Sequence, residues 1–339
     1  MRNPKNVIGI TTTVPSEVLL AAGFTPLDLN NIFINSPSPG QLVRNAERAG
    51  FPINTCAWIK GIYSVCLEHH INTVLCVTTG DCSNTSMLME VLKLRGINTI
   101  PFAYPNCPSI YIMQSALSKL ANNLGTTLEA SENMRHLLSP CRAAACELDR
   151  ITWEGNRISG AENHYWLVSS SDFNQNHMRY HTDIQSLIDT ASQRQPYSAG
   201  ELRLAFIGVP PVYGKDLYQF IEQNGARVVY NEIQRQFAMP YGSGTLAEQY
   251  TDYTYPYGIE KRICDISHEI ERRSIDGIIH YVQAFCHRAI GDIVFRSHFS
   301  VPIITIEGNT DFDLSQHLKT RLEAFLDILA QTKIKPSAT

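Results

Sequence analysis

The chain reads as an α/β protein of two Rossmann-like parallel-sheet domains joined by a helical connector, and three observations predict this. Short β-rich runs alternate with segments of helical periodicity, first over residues 7–103 and again over 202–306. Two of the runs, TVLCVT at 73–78 and GIIHYVQA at 277–284, are strongly apolar, as expected of strands covered by helices on both faces. Between the β-rich stretches, apolar residues recur at helical spacing (Leu128, Met134, Leu137, Leu138) with few β-branched runs. A length of 339 residues suits two domains of roughly 150 residues each.

The first domain is expected over residues 1–125. Residues 7–11 form a strand, 16–23 a helix entered through Pro15 and Ser16 and closed by Gly23, and 26–29 a second strand, which completes one βαβ unit. Residues 41–50 are helical and end on glycine. Residues 56–70 carry an apolar helical stripe through Ile59, Tyr63, Cys66 and Leu67. The strand at 73–78 leads through a polar turn at 79–84 into a helix at 86–95, a stop at Gly96, a strand at 98–103 and a helix at 108–124. The connector, 126–200, ends in a linker at 192–200 that contains Pro196 and a closing glycine. The second domain, 201–335, repeats the alternation. Strands are expected at 204–209, 226–230, 277–284 and 302–306. Helices are expected at 215–224, 259–273 and 314–329, with a loop and helix over 286–296 and an aromatic loop over 247–258.

Composition removes several function classes. Net charge is −4, with 28 Lys+Arg against 32 Asp+Glu, so there is no basic excess for nucleic acid. Charged residues, at 18%, fall below the roughly 25% usual for soluble chains, which points to surface covered by a partner. No apolar run reaches the ~18–20 residues that span a bilayer, and the opening segment is interrupted by Thr11, Thr12 and Thr13 and by Pro15 to Glu17, so a cytoplasmic protein is expected. The nine cysteines are odd in number and follow no secretory signal, so free thiols are the expectation. No pair has CxxC spacing; a metal site has to be assembled across the fold.

Candidate chemistry concentrates at strand ends. The turn from Gly208 to Asp216 sits where a phosphate loop would, but five residues separate Gly208 from Gly214, and Asp216 follows Lys215 where a P-loop needs Ser or Thr. GxGxxG is absent. Cys82 and Cys286 each follow an apolar strand at the edge where open parallel sheets bind ligands, and Cys56 stands at a helix start, where amide groups favour a thiolate. Position alone also allows these three to be small buried apolar side chains, the reading that fits Cys66 and Cys76. His69 and His70 suit a helix C-terminus, His280 a satisfied core position, and His287, beside Cys286, a proton carrier or a hydrogen-bond donor to a cluster. The tyrosine-rich tract 250–257 reads as packing between domains.

The segments VPSEVLLAAGFTPLDLN (14–30), CAWIKGIY (56–63), TTGDCSNTSMLMEVL (78–92), TYPYGIEKR (254–262), DGIIHYVQAFCHR (276–288) and PIITIEGNTDFD (302–313) resemble the 2-hydroxyacyl-CoA dehydratase component family, which includes the double-cubane iron–sulfur cluster proteins. The resemblance implies that Cys56, Cys82 and Cys286 hold a [4Fe–4S] cluster with one iron left open, or one half of a double-cubane [8Fe–9S] cluster. It implies as partners an ATP-hydrolysing iron–sulfur activator, a second copy or a related subunit in a homodimer or heterodimer, and a small-molecule substrate. The activity implied is that of an ATP-driven low-potential reductase or a dehydratase that eliminates water through a ketyl radical. A non-catalytic cluster carrier or sensor is the alternative. Lys60, Arg262 and Arg288 lie near the cysteines in sequence and are expected to offset cluster charge. Dehydratase subunits usually carry an extra helical segment ahead of the first strand; with only residues 1–6 there, a site without that lid is expected.

Overall fold

The computed structural model describes residues 6–242 and 244–334. Residues 1–5, ahead of the first strand, and Lys335, the expected end of the second domain, lie outside the described residues. Among the described residues, eight strands form two four-stranded sheets. The first holds β1 (Val7–Ile10), β2 (Thr25–Asp28), β3 (Thr73–Thr79) and β4 (Asn98–Ala103) in the order β2-β1-β3-β4. The second holds β5 (Leu202–Gly208), β6 (Ala226–Asn231), β7 (Gly277–Gln283) and β8 (Ile303–Gly308) in the order β6-β5-β7-β8. Every pairing is parallel. The structure is therefore α/β with two Rossmann-like sheets, as the alternation predicted. In this strand order the chain turns back across β1 and across β5, which opens a crevice at the carboxyl ends of β1 and β3 and another at those of β5 and β7.

Burial explains the strand composition. All seven residues of β7 are buried, and β3 is buried from Val74 to Val77, so continuous apolar runs are required rather than alternation. Cys66 and Cys76 sit among Ile62, Val74 and Leu92 in the core under the first sheet, the packing role read for them. All nine cysteines are free. Among the described residues, no helix is long and apolar enough to cross a membrane.

The segment between the sheets is built from helices Leu128–Trp153, Gly160–Val168 and His177–Ser192. Their starts are written in the sequence: Thr127 and Asn176 each accept from the amide of the third residue of their helix, and Ser159 with Glu162 forms a capping box. The first of these helices ties both halves together. Arg142 Nη2 donates to Glu17 Oε1 at 2.6 Å on the first half, and Asp149 Oδ2 accepts from Arg273 Nη2 at 2.6 Å on the second, with all four side chains buried.

The structure departs from expectation in the tract 247–258. It contains a helix, Leu246–Asp252, whose capping box of Thr245 and Glu248 was legible as T-x-x-E but was masked by the surrounding tyrosines. Two further short helices, Leu29–Ile34 and Glu232–Phe237, begin directly at strand ends, the first capped by the Asp28 side chain, which accepts from Asn30 N, and the second entered through Asn231. The tract does pack between the halves. Tyr250, Tyr253, Tyr255 and Tyr257 share one buried core with Ile8, Val18 and Phe102 of the first half.

Candidate functional site

Residues at or just beyond the carboxyl ends of β1, β2, β3, β5 and β7 line a single cavity of about 800 Å³, so both crevices open onto the same space. Cys56, Cys82 and Cys286 all lie on its wall. Cys56 caps the helix Ala57–Glu68, Cys82 sits two residues before the helix Asn84–Leu94, and Cys286 opens the short 3-10 turn His287–Ile290. Each sulfur thus stands at the opening of a helical segment, where backbone amides point outward without partners.

The turns that aim these thiols need unusual backbone. Gly80 has φ of 97°, and a Cβ there would come within 2.8 Å of Tyr104 and 2.9 Å of Pro256, so only glycine lets the aromatic tract close over the Cys82 turn. On the other side Phe285 adopts φ of 65°, a left-handed conformation that a bulky residue rarely takes, and Cys286 N donates to Gln283 O at 3.0 Å to close the turn.

Electrostatics around the thiols are those of a site waiting for positive charge. Burial pushes Cys56 up to about 11, against the pull of the Trp58 and Ile59 amides, and Cys286 and Asp81 raise it further. Burial pushes Cys82 up to about 12, helped by Asp81, Cys56 and Cys286. Cys286 is raised by burial too, with the Arg288 amide and guanidinium opposing. The three thiols therefore feel one another's charge and stay protonated at neutral pH until a cationic centre stabilises their thiolates. Among the described residues, no three His, Cys, Asp or Glu side chains converge on a single metal ion. In a four-iron cube each thiolate binds a different iron, so three cysteines that line one cavity without converging on one point fit a cluster.

Of the three cations singled out, only Arg288 is available here. Lys60 Nζ is committed to Glu47 Oε1 and Ile53 O, both at 2.7 Å, and Arg262 makes a two-pronged pair with Glu232 at 2.6 and 2.8 Å. Arg288 instead donates from Nη2 to Gly80 O at 2.9 Å and lies 4.2 Å over the Tyr255 ring, while its buried Nε has no partner among the described residues. His287 is exposed and lies off the cavity wall; burial and then Arg288 hold it below the ordinary imidazole value. His280 is a satisfied core residue, its Nδ1 donating to Asp292 Oδ1 at 2.6 Å. His69 caps the C-terminal end of the helix that Cys56 opens. The turn from Val209 to Asp216 lines the cavity as a plain strand-to-helix connection, and a Cβ on Gly208 would strike Tyr281 O at 2.2 Å.

The sequence did not single out Asp81, although it stands in the same motif as Cys82. Burial pushes its carboxyl up, against the pull of Arg288 and the hydroxyls of Tyr255 and Thr12. Nor did it point to His164, Trp166 or Asn174, which the connector brings to the cavity with no local motif to mark them.

No curated protein matches the chain. A family model does, that of the 2-hydroxyglutaryl-CoA dehydratase D-component, over residues 11–329. The matched span takes in every strand but β1, together with the connecting helices and the three cavity cysteines. The chain belongs to the 2-hydroxyglutaryl-CoA dehydratase D-component family.

Proposed function

We propose that this chain is the cluster-bearing component of an ATP-driven dehydratase-type system, with Cys56, Cys82 and Cys286 holding a [4Fe–4S] cube beside a small-molecule substrate. The observation that carries this reading is the meeting of three free thiols, far apart in the chain, on one cavity wall. A volume of about 800 Å³ leaves room for an organic ligand, which favours an enzyme component over a bare cluster carrier. When bound, the cluster supplies low-potential one-electron chemistry, with one iron free of protein thiolate.

The chain's own residues prepare that site. Amides at the helix openings beside Cys56 and Cys286 favour negative charge at the sulfurs. Arg288, stacked on Tyr255, supplies a fixed cation and an unused N–H. Ile59, Ile62 and Phe237 keep part of the wall apolar and limit water. ATP is consumed on a separate activator, in keeping with the missing P-loop serine or threonine, and a second copy or a related subunit completes the assembly in the cytoplasm.

Anaerobic purification with iron and sulfide analysis tests the reading. About four irons per chain are expected, and sulfide beyond four marks the double-cubane form. Cys82→Ser should lose the iron and Cys66→Ser should keep it; equal iron in both variants overturns the ligand set. A loaded protein that accepts electrons from activator and ATP yet consumes no 2-hydroxyacyl thioester is a carrier.

A further inference from the structure

We propose that His164 is a ligand-contacting hydrogen-bond acceptor: a one-way chain of hydrogen bonds from buried Asp149 locks its proton on Nδ1 and presents a bare Nε2 to the cavity, where it receives a hydroxyl or amide N–H of the substrate.

The direction of the chain follows from its anchored end. Asp149 is gripped by Arg273 through both carboxylate oxygens, at 3.0 and 2.6 Å. Burial alone would raise its carboxyl, but Arg273 and Arg235 hold it below the ordinary value, so it is ionised and only accepts. Asn163 Nδ2 donates to it at 3.1 Å, which leaves Asn163 Oδ1 as an acceptor for Asn231 Nδ2 at 2.7 Å. Asn231 Oδ1 therefore accepts from the Tyr218 hydroxyl at 2.8 Å. The single hydroxyl proton of Tyr218 is then spent, so its contact with His164 Nδ1 at 3.1 Å requires the imidazole to donate. The Gln234 amide fits this assignment only when turned by half a turn: its nitrogen lies 3.3 Å from His164 Nδ1 while its buried oxygen has no partner among the described residues, and the exchange lets that oxygen share the Nδ1–H with Tyr218.

The other ring nitrogen has no protein partner among the described residues, and His164 lines the cavity with part of its ring uncovered. Burial holds the imidazole down to about 4, so Nε2 stays an unprotonated acceptor across the physiological range. A second feature marks the same wall as more than scaffold. Phe173, Asn174 and Gln175 are three successive left-handed residues, with φ of 52°, 49° and 62°, and Asn174 at their centre lines the cavity.

The acceptor stands on the geometry alone; the identity of its donor rests on the dehydratase-type reading. Diethyl pyrocarbonate, which acylates the bare nitrogen of neutral imidazole, is applied to the full chain and mapped by mass spectrometry. Acylation of His164, slowed several-fold in Tyr218→Phe, is expected; an unreactive His164 while exposed His298 reacts overturns the proposal. 2-Hydroxyglutaryl-CoA and glutaryl-CoA are then tested as protecting ligands, with binding followed by calorimetry. Protection by the hydroxylated thioester alone identifies a hydroxyl donor, and protection by both identifies an amide N–H. Binding without protection by either overturns the proposal. If neither thioester binds while His164 remains reactive, the dehydratase reading falls and the acceptor stands. For a thioester that binds, His164→Ala should weaken affinity about tenfold, and His164→Gln, which keeps an acceptor near Nε2, should recover most of it.

Discussion

The two halves of the molecule share a strand order yet contribute unequally to the cavity. Cys82 and Cys286 hold equivalent places: each lies three residues beyond the third strand of its sheet, after Thr79 in one half and Gln283 in the other. The next equivalence fails. The helix that precedes β3 is capped by Cys56, whereas the helix that precedes β7 is capped by Gly258. In place of a second thiol, the second half sends the segment 232–258 across to the first, and Tyr255 from that segment meets Asp81 and Arg288. The difference teaches that topology supplies a crevice in each half, while the chemistry depends on which loop is spent on ligands and which on closing the wall.

The comparison is broken most forcefully at the buried ion pairs that fasten the halves to the long connecting helix. Arg273→Met leaves Asp149 and Glu269 buried without their main partner and should cost about 3–5 kcal/mol, read from urea unfolding of the full chain. Arg142→Met should cost less, because it uncouples one buried carboxylate instead of two, and Glu17 keeps the Gln249 amide and the Tyr250 hydroxyl as donors. A larger loss at Arg142 would mean that the first half, not the second, depends more on the connector.

Glycine turns give the next effect. Gly208→Ala drives a Cβ onto a backbone carbonyl at a φ of 104° and should destabilise by about 2–3 kcal/mol. Gly80→Ala meets side-chain carbons at 2.8 and 2.9 Å, which can give a little, and should cost about 1–2 kcal/mol.

Acidity separates two carboxyls of the first half and the connector with opposite signs. Burial and the neighbouring Asp28 push Asp172 up to about 7, so between about pH 4 and 7 the folded chain keeps a proton that the unfolded chain releases. Its contribution to stability therefore grows as pH falls through that window, and Asp172→Asn should abolish that part of the slope. Burial would raise Glu17 as well, but Arg142 and Tyr250 overcome it and hold the group low, so its contribution is present above its ordinary value of 4.5 and is lost as pH falls further. The smallest expected change is a gain of about 0.5 kcal/mol for Phe285→Asn, since asparagine tolerates the left-handed backbone better.

Much of this was written in the sequence. Alternating apolar and helical segments gave both sheets, because strands buried on two faces leave a continuous apolar signature, and Cys56, Cys82 and Cys286 were singled out by their places at strand and helix ends and set apart from packing cysteines by the family resemblance; all three line the cavity. Asp81 was overlooked although it adjoins Cys82, since a lone aspartate in a polar turn resembles an ordinary cap. His164 and Asn174 carry no local mark; they reach the cavity only through the packing of helices against β6 and β2, which residue spacing does not encode. Lys60 and Arg262 were expected near the thiols, but Glu47 and Glu232 claim them, and those pairings are long-range.

The exchange of residues 232–258 has a consequence for how the protein comes into being. Ile233, Leu246, Tyr250 and Tyr253 are among the residues of that segment that complete a hydrophobic centre whose first-half members, among them Ile10, Leu75 and Met113, precede residue 125. A fragment ending at residue 200 would emerge with that centre open to water, so the amino-terminal lobe must await synthesis of its distant counterpart before it can finish folding.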